Sequence, residues 1–134
     1  MAATTAGAIK ALLEAQGLGV SVYRDVPPPG AVRPYVTVSE GISIVPDEHG
    51  DFGQAETVRE LAQVDVWKPW RDANRANAES YTLTPAIFRA LHGAVLTAAP
   101  THVYGCRVTG SVRLIEDEEN VVHDALTVEL SRVL

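Results

Sequence analysis

Alternating apolar and polar residues, repeated over four long segments, constrain the fold of this chain more than any other feature. In residues 35–45, for example, Val36, Val38 and Ile42 share one phase. Because successive side chains of a β-strand point to opposite faces, this period of two predicts strands with one apolar face and one polar face. The predicted long strands are residues 35–45, 57–67, 102–116 and 123–134, and a short strand around Val20 and Val22 precedes them.

A helix is predicted near the N-terminus. Apolar residues such as Ile9 and Leu13 recur there at helical spacing. Thr4 or Thr5 is positioned to cap the start, because a hydroxyl can accept a hydrogen bond from the first turn of a helix. Gly17 is positioned to end it, since glycine readily adopts the left-handed conformation that closes many helices.

A second helix is predicted from Thr84 to about Leu96. Threonine followed by proline is a favourable helix start, and the apolar residues after Pro85 follow helical spacing. Residues 72–81 also favour a helix. The pattern therefore allows either one helix that kinks at Pro85 or two helical pieces that meet there.

These elements predict an α+β fold, a single domain over residues 1–134 with a mainly antiparallel β-sheet and two helices packed on one face. The stretch PDEHGDFGQAE, residues 46–56, is rich in Gly and Asp and predicts a turn, so residues 35–67 form a long β-hairpin. We expect its outer half to protrude. Exposed apolar strand surface requires a partner, and the residues predicted to form this interface are Ile42, Ile44, Val45, Phe52 and Val58.

Asp65 stands between two valines in the middle of a predicted strand. It could be a catalytic carboxylate held by the sheet, or a carboxylate on a face that never becomes core. General acid–base catalysis requires titrating groups in a water-poor pocket, and no such set is apparent. The preferred interpretation is an exposed strand position that pairs with an arginine across the sheet. The same polar phase contains Arg107, Arg113 and Glu129.

Charge and composition exclude several classes of protein. The chain has 134 residues, 46% of them hydrophobic, which suffices for the core of one domain. Its 11 Lys and Arg residues face 17 Asp and Glu, a formal charge of -6, so no basic footprint for nucleic acid or an anionic membrane is present. The single Cys106 excludes an intrachain disulfide, and the N-terminal residues do not resemble a signal peptide. We expect a soluble protein of a reducing cytoplasm.

Other candidate sites have simpler interpretations. The loop DEHGD, residues 47–51, only partly matches the ligand spacing of a calcium loop and favours a solvated turn. The pair His123 and Asp124 is another candidate, but His123 begins a strand and is interpreted as a surface residue, while Cys106 lies in an apolar phase and favours a small buried side chain. Trp67 could stack on a ligand, but covering a sheet edge is the commoner use. We therefore expect no enzymatic activity, no metal and no cofactor.

The order of elements resembles one known family. The stretches that carry this resemblance are IKALLEA, VYRDVPPPGAVRPYVTV, AQVDVWKPWRDANRANAE and the final HDALTVEL. Together they cover nearly the whole chain, and they are similar to the tail terminator, or tail completion, family of long-tailed bacteriophages. The resemblance implies a hexameric ring at the head-proximal end of the tail tube, which stops tube polymerisation and provides a surface for the head to dock on.

The resemblance also implies partners and a location. The partners would be further copies of the chain, the tail tube protein and a head-completion or neck protein, while DNA passes through the ring without specific binding. The protein would be found in the virion tail or neck, and in the host cytoplasm during assembly. Residues expected to face the channel of such a ring are Asp65, Arg107, Arg113 and Glu129.

Two alternatives stay open. Another neck component, such as a head-closure or connector protein, would also form a ring but would dock on the portal side. A small-ligand-binding or enzymatic α+β domain would instead use the polar face of the sheet as a pocket.

Overall fold

The computed structural model describes residues 4–48, 55–69, 78–98, 102–116 and 118–133, and it describes the side chains of all of these except 41–48, 55–58, 78–81 and 133. Two helices and six strands follow one another along the chain. They are α1 (Thr5–Glu14), β1 (Ser21–Arg24), β2 (Tyr35–Glu48), β3 (Ala55–Pro69), α2 (Ala78–Leu91), β4 (Val95–Ala98), β5 (His102–Glu116) and β6 (Val121–Val133).

The six strands form one curled, half-barrel sheet in the order β1-β2-β3-β6-β5-β4. β1 pairs with β2 in parallel, and the four other neighbouring pairs are antiparallel. The prediction of a mainly antiparallel α+β fold with two helices is therefore confirmed. Mixed sheets of this kind place a parallel strand at one edge without disturbing the antiparallel ladders inside.

Pairing within the sheet limits how far residues 35–67 can extend from it. β2 and β3 pair from Tyr35↔Trp67 to Glu48↔Ala55, with a register shift next to Gly41, where the sequence predicts a bulge. β3 is also paired with β6 as far as Thr57↔Val133. Thus β3 is an interior strand over residues 57–67, and of the two hairpin strands only β2 lies at a margin of the described sheet beyond Val38.

The first helix begins and ends as predicted. Thr4 has an extended conformation and its hydroxyl accepts a hydrogen bond from the backbone N–H of Gly7 at 3.0 Å. This bond satisfies one of the donors that a helix leaves unpaired at its start. After the helix, Gly17 adopts a φ of 66°, which a residue with a side chain rarely does.

The second helix differs from the prediction at both ends. It is continuous from Ala78 to Leu91 with Pro85 inside it, which settles the question of one helix or two in favour of one. The predicted end near Leu96 is wrong, because Gly93 takes a φ of 86° and turns the chain out of the helix. Val95–Ala98 then forms β4 along the edge of β5, consistent with the preference of Val and Thr for strands.

One buried cluster contains apolar side chains of both helices and of all six strands. We call the sheet face that contributes to this cluster the first face and the opposite one the second face. In β2, β3 and β6, the apolar residues of the predicted phases whose side chains are described lie on the first face, each at 2% exposure or less. Complete burial of a side chain of this size is worth about 1.5–3 kcal/mol, and the strand residues concerned are Val36, Val38, Val64, Val66, Leu126, Val128 and Leu130.

Candidate assembly surface

The outer half of β5 is exposed on both faces of the sheet. Every residue from Thr109 to Glu116 is exposed, in contrast to the regular burial of every second residue earlier in the strand. Three of these residues are large and apolar: Val112 is 58% exposed, Leu114 48% and Ile115 49%. A run of exposed apolar residues on a strand is the kind of surface that soluble proteins normally cover with a partner.

A β-bulge explains why these residues are not core. The pairing of β5 with β6 shifts by one residue between Val108 and Gly110. Because the side-chain period of a strand is two, one extra residue moves every later side chain to the other face. Val108 therefore lies on the first face, whereas Val112 and Leu114 lie on the second. Strict alternation along the strand predicted at residues 102–116 would put all three on one apolar face, so the predicted phase is wrong after the bulge.

The same shift brings Arg113 to the first face, where it joins a buried polar network. Arg113 donates from Nε to Oδ1 of Asp124 at 2.7 Å and from Nη2 to Oδ2 at 2.9 Å. Lys68 Nζ lies 2.8 Å from Oδ2, and the hydroxyl of Thr84 donates to the same oxygen at 2.7 Å. The network joins β3, α2, β5 and β6, and Arg113 therefore contributes to holding these elements together.

Asp124 is only 4% exposed, and Lys68 is equally buried. Burial by itself raises the pKa of Asp124, but hydrogen bonds from Arg113, Lys68 and Thr84 outweigh it and hold the pKa well below its usual range. Asp124 is therefore ionised at neutral pH. The neighbouring His123, interpreted from the sequence as a surface residue, has only 12% of its side chain exposed, so that prediction is wrong.

Asp65 lies on the second face and is buried, at 6% exposure. Its Oδ1 is 2.6 Å from Nε2 of His123, and Gln63 donates to the same oxygen at 2.8 Å. Two expectations are corrected here: Asp65 pairs with a histidine instead of an arginine, and it has too little exposed surface to line a channel. No sequence pattern indicates a contact between residues 58 positions apart.

Aromatic rings cover this buried carboxylate. The Trp67 ring stacks on His123 with 3.8 Å between ring centroids, and its indole N–H donates to the Thr37 hydroxyl at 3.0 Å. Tyr35 lies on the other side of Trp67, at 6.3 Å. Trp67 thus packs over the second face of the sheet, between β2 and β6, and not over a sheet edge as predicted. Its ring contacts aromatic residues of the chain itself.

Arg107 and Glu129, two further predicted channel residues, lie on the second face as Asp65 does. They form a long ion pair, with 3.5 Å between Nη2 and Oε1, and the Arg107 side chain is 63% exposed. Exposed pairs of this kind contribute about 0–1 kcal/mol. Of the four residues expected together, these two are adjacent, while Asp65 is buried and Arg113 faces the opposite side.

The predicted hairpin interface lies mostly outside the described side chains. Ile42, Ile44 and Val45 belong to β2 and Val58 to β3. The backbones of Ile44, Val45 and Val58 are paired in the sheet, while Ile42 lies within the register shift. Phe52 lies outside the described residues, as do His49 and Asp51 of the predicted loop. The exposed apolar residues of β5 were not predicted as an interface, although Gly110 inside an alternating strand is a known sequence signal for a bulge.

The remaining chemical candidates are few. Cys106 is buried, as predicted, and burial raises the pKa of its thiol to about 11. Within the described residues, no three His, Cys, Asp or Glu side chains lie together as a metal site would require. No helix in the described part of the chain is long and apolar enough to cross a membrane.

Two solved structures are similar to this chain in fold. The chain has 20% sequence identity and a TM-score of 0.71 with a chain from the virion of a native gene transfer agent particle, covering 97% of this chain and 95% of that one. A second solved structure, of a protein without a descriptive name, matches at 14% identity and a TM-score of 0.58, over 95% of this chain and 89% of that one. At these identities the likeness concerns the fold alone.

No curated protein matches the chain. The family model described as Tail completion protein gp17 matches residues 2–130, nearly the whole length. That match covers both helices, the first five strands and most of β6. The chain therefore belongs to the tail completion protein gp17 family and is a structural protein of a bacteriophage virion.

Proposed function

We propose that the chain forms a closed ring, a hexamer as in the tail terminators it resembles, at the head-proximal end of the phage tail tube. There it stops tube polymerisation and presents the surface on which the head docks. The single observation that carries this proposal is the outer half of β5, an apolar edge strand with both faces exposed. A virion protein with such a surface is built to bury it against another subunit.

The arrangement of the two faces supports a ring. Both helices contribute to the first-face cluster, so the second face is the one left for a central channel. We assign the channel lining to its exposed polar residues, Gln63, Arg107 and Thr127, together with Glu129. Opposite charges are interspersed there and the chain carries a formal charge of -6, so DNA can pass without being held by phosphate contacts.

The protein acts by assembly and not by catalysis. Among the described residues, the two buried carboxylates, Asp65 and Asp124, both accept hydrogen bonds from side chains of the chain itself, which supports structural roles for them. The partners are neighbouring copies, the tail tube protein and the head-completion protein.

Electron microscopy of purified particles tests this proposal. We expect six copies in one ring at the junction of tail and head, and particles made without the chain should have tails of uncontrolled length that do not join heads. A single copy per tail, or copies at the distal end of the tail, would contradict the proposal. The measurement is made on assembled particles because the isolated chain can be a stable monomer that forms rings only on the tube.

A further inference from the structure

We propose that neighbouring copies join by edge-to-edge strand pairing, in which the outer half of β5 of one copy forms an antiparallel ladder with the exposed edge of β2 of the next. This inference rests on the proposed ring and specifies its subunit contact. It makes the sheet continuous around the ring.

At each margin of the described sheet, a short outer strand covers only part of the longer strand beside it. β1 pairs with β2 only as far as Val38, whose carbonyl accepts a hydrogen bond from the Asp25 N–H at 2.9 Å. On the opposite margin, β4 pairs with β5 only as far as Gly105. Beyond Gly105, the Cys106 N–H donates a hydrogen bond to the Ala94 carbonyl, and the Val108 N–H donates to Nδ1 of His92 at 3.2 Å.

Two strand segments therefore lack a second neighbouring strand within the described part of the chain: residues 39–48 of β2 and residues 109–116 of β5. They lie on opposite margins of the same sheet. A head-to-tail contact needs two different surfaces of one subunit, and repeating it closes a ring. These two edges supply such a pair of surfaces.

The strand directions favour the pairing. β2, β3, β6 and β5 are successively antiparallel, so β2 and β5 run in opposite directions within one copy. A rotation about an axis roughly along the strands preserves those directions. The β2 edge of the next copy would therefore meet β5 in the antiparallel sense, which is the slightly more stable ladder.

The axial offset between the two edges also fits a ring. Pro46 lacks an N–H for a ladder, so the usable part of the β2 edge is residues 39–45, centred at Ile42. This centre is level with Leu61 of β3, which pairs with Glu129 of β6. The β5 edge is centred near Val112, which pairs with Ala125 of β6. Four residues of β6 separate these two levels, an offset of about 13 Å.

A tilt of the strands relative to the ring axis removes this axial offset. Four strand spacings, about 19 Å in total, separate β2 of one copy from β2 of the next, with β3, β6 and β5 between them. Over this width, an offset of about 13 Å corresponds to strands tilted by about 35° from the ring axis, and tilts of about 35–45° are those at which curved sheets close. The half-barrel curl of the sheet is already of this kind.

The two edges are similar in hydrophobicity. Residues 39–45 and residues 109–116 are both rich in branched apolar residues, which form favourable cross-strand pairs. These residues are Ile42, Ile44 and Val45 on one edge and Val112, Leu114 and Ile115 on the other.

Engineered disulfides in assembled particles test the pairing. Ser39 and Leu114 both lie on the second face, so a ladder can place them opposite one another. One test variant carries Ser39→Cys with Leu114→Cys. A second carries Ser39→Cys with Glu116→Cys, to cover a register shift of two residues. Particles with either pair are oxidised and run on a denaturing gel. We expect a ladder of covalent oligomers up to the complete ring. Native Cys106 is buried and should not interfere.

The matched control is Ser39→Cys with Ile115→Cys. Ile115 is as exposed as Leu114, at 49% against 48%, but it lies on the first face and should not form the cross-link. A ring seen by microscopy that gives no ladder with either test pair would overturn the edge pairing and leave the proposed function intact. Dimers from Leu114→Cys alone would overturn it too, since they indicate a symmetric β5 contact. Absence of any ring would overturn both proposals.

Discussion

Replacing Asp124 by Asn should destabilise the protein by about 3–5 kcal/mol, the usual effect of removing one partner of a buried ion pair. The side chains of Lys68 and Asp124 are each 5% exposed and lie 2.8 Å apart. The substitution keeps the shape of Asp124 but leaves the Lys68 ammonium buried without a counter-charge. The contact with Arg113 adds little to this figure, because that side chain is 55% exposed and screened by solvent.

Thermal and urea unfolding followed by circular dichroism measure this loss. For a domain of this size we expect the melting temperature to fall by about 10–20 °C. Arg107→Gln is the control, because it breaks an exposed pair and should change stability by at most about 1 kcal/mol. Adding Lys68→Met to Asp124→Asn should recover part of the loss, since it removes the uncompensated charge. A loss below about 1 kcal/mol for Asp124→Asn would refute the reasoning.

The pH dependence of the same difference gives an independent test. Because the pKa of Asp124 is lowered in the folded state, its stabilising contribution is complete above the unfolded pKa of about 4 and is lost as the pH falls through the lower folded value. The stability difference between the wild type and Asp124→Asn should therefore be constant from pH 5 to 8, as an order-of-magnitude window, and shrink in more acidic solution. A difference that grows below about pH 4 would contradict the assignment.

Two further predictions concern the thiol and the hairpin. Burial raises the pKa of Cys106 to about 11. The reaction of this thiol with a chromogenic thiol reagent at pH 8 should therefore be roughly 100-fold slower in the native protein than in urea. Equal rates would mean that the thiol is accessible. Ile42→Ser with Ile44→Ser should leave the monomer folded but give tails of uncontrolled length or tails that do not join heads, as seen by microscopy; a double variant that unfolds as a monomer would show that these residues are ordinary core.

Local sequence signals were sufficient for most of the fold. Thr4 and Gly17 bound the first helix through contacts within a few residues, and the apolar phases of β2, β3 and β6 follow from period two alone. The end of α2 was missed because an apolar run continues past Gly93 into β4. Helical spacing and strand alternation cannot be separated over so few residues, and the pairing of β4 with β5 decides the outcome.

The candidate site was harder to predict because it depends on phase and on distant partners. One bulge beside Gly110 moved Val112 and Leu114 to the second face and Arg113 to the first. Asp65 looked like an exposed polar residue because its partner, His123, is remote in the sequence. Burial of a polar strand residue depends on such a partner, and a pattern read along one strand contains no information about it.

The Arg113–Asp124 contact also bears on how fast and how tightly subunits associate. An edge strand exposed on both faces would ordinarily fray, and a partner would have to order it at the moment of binding, at a cost of about 0.5–1.5 kcal/mol for each immobilised side chain. Here Arg113 ties the exposed half of β5 to a carboxylate that β3 and α2 also hold. For the proposed edge pairing, the monomer would thus present a pre-organised template, with part of the conformational entropy of this edge lost during folding instead of during assembly.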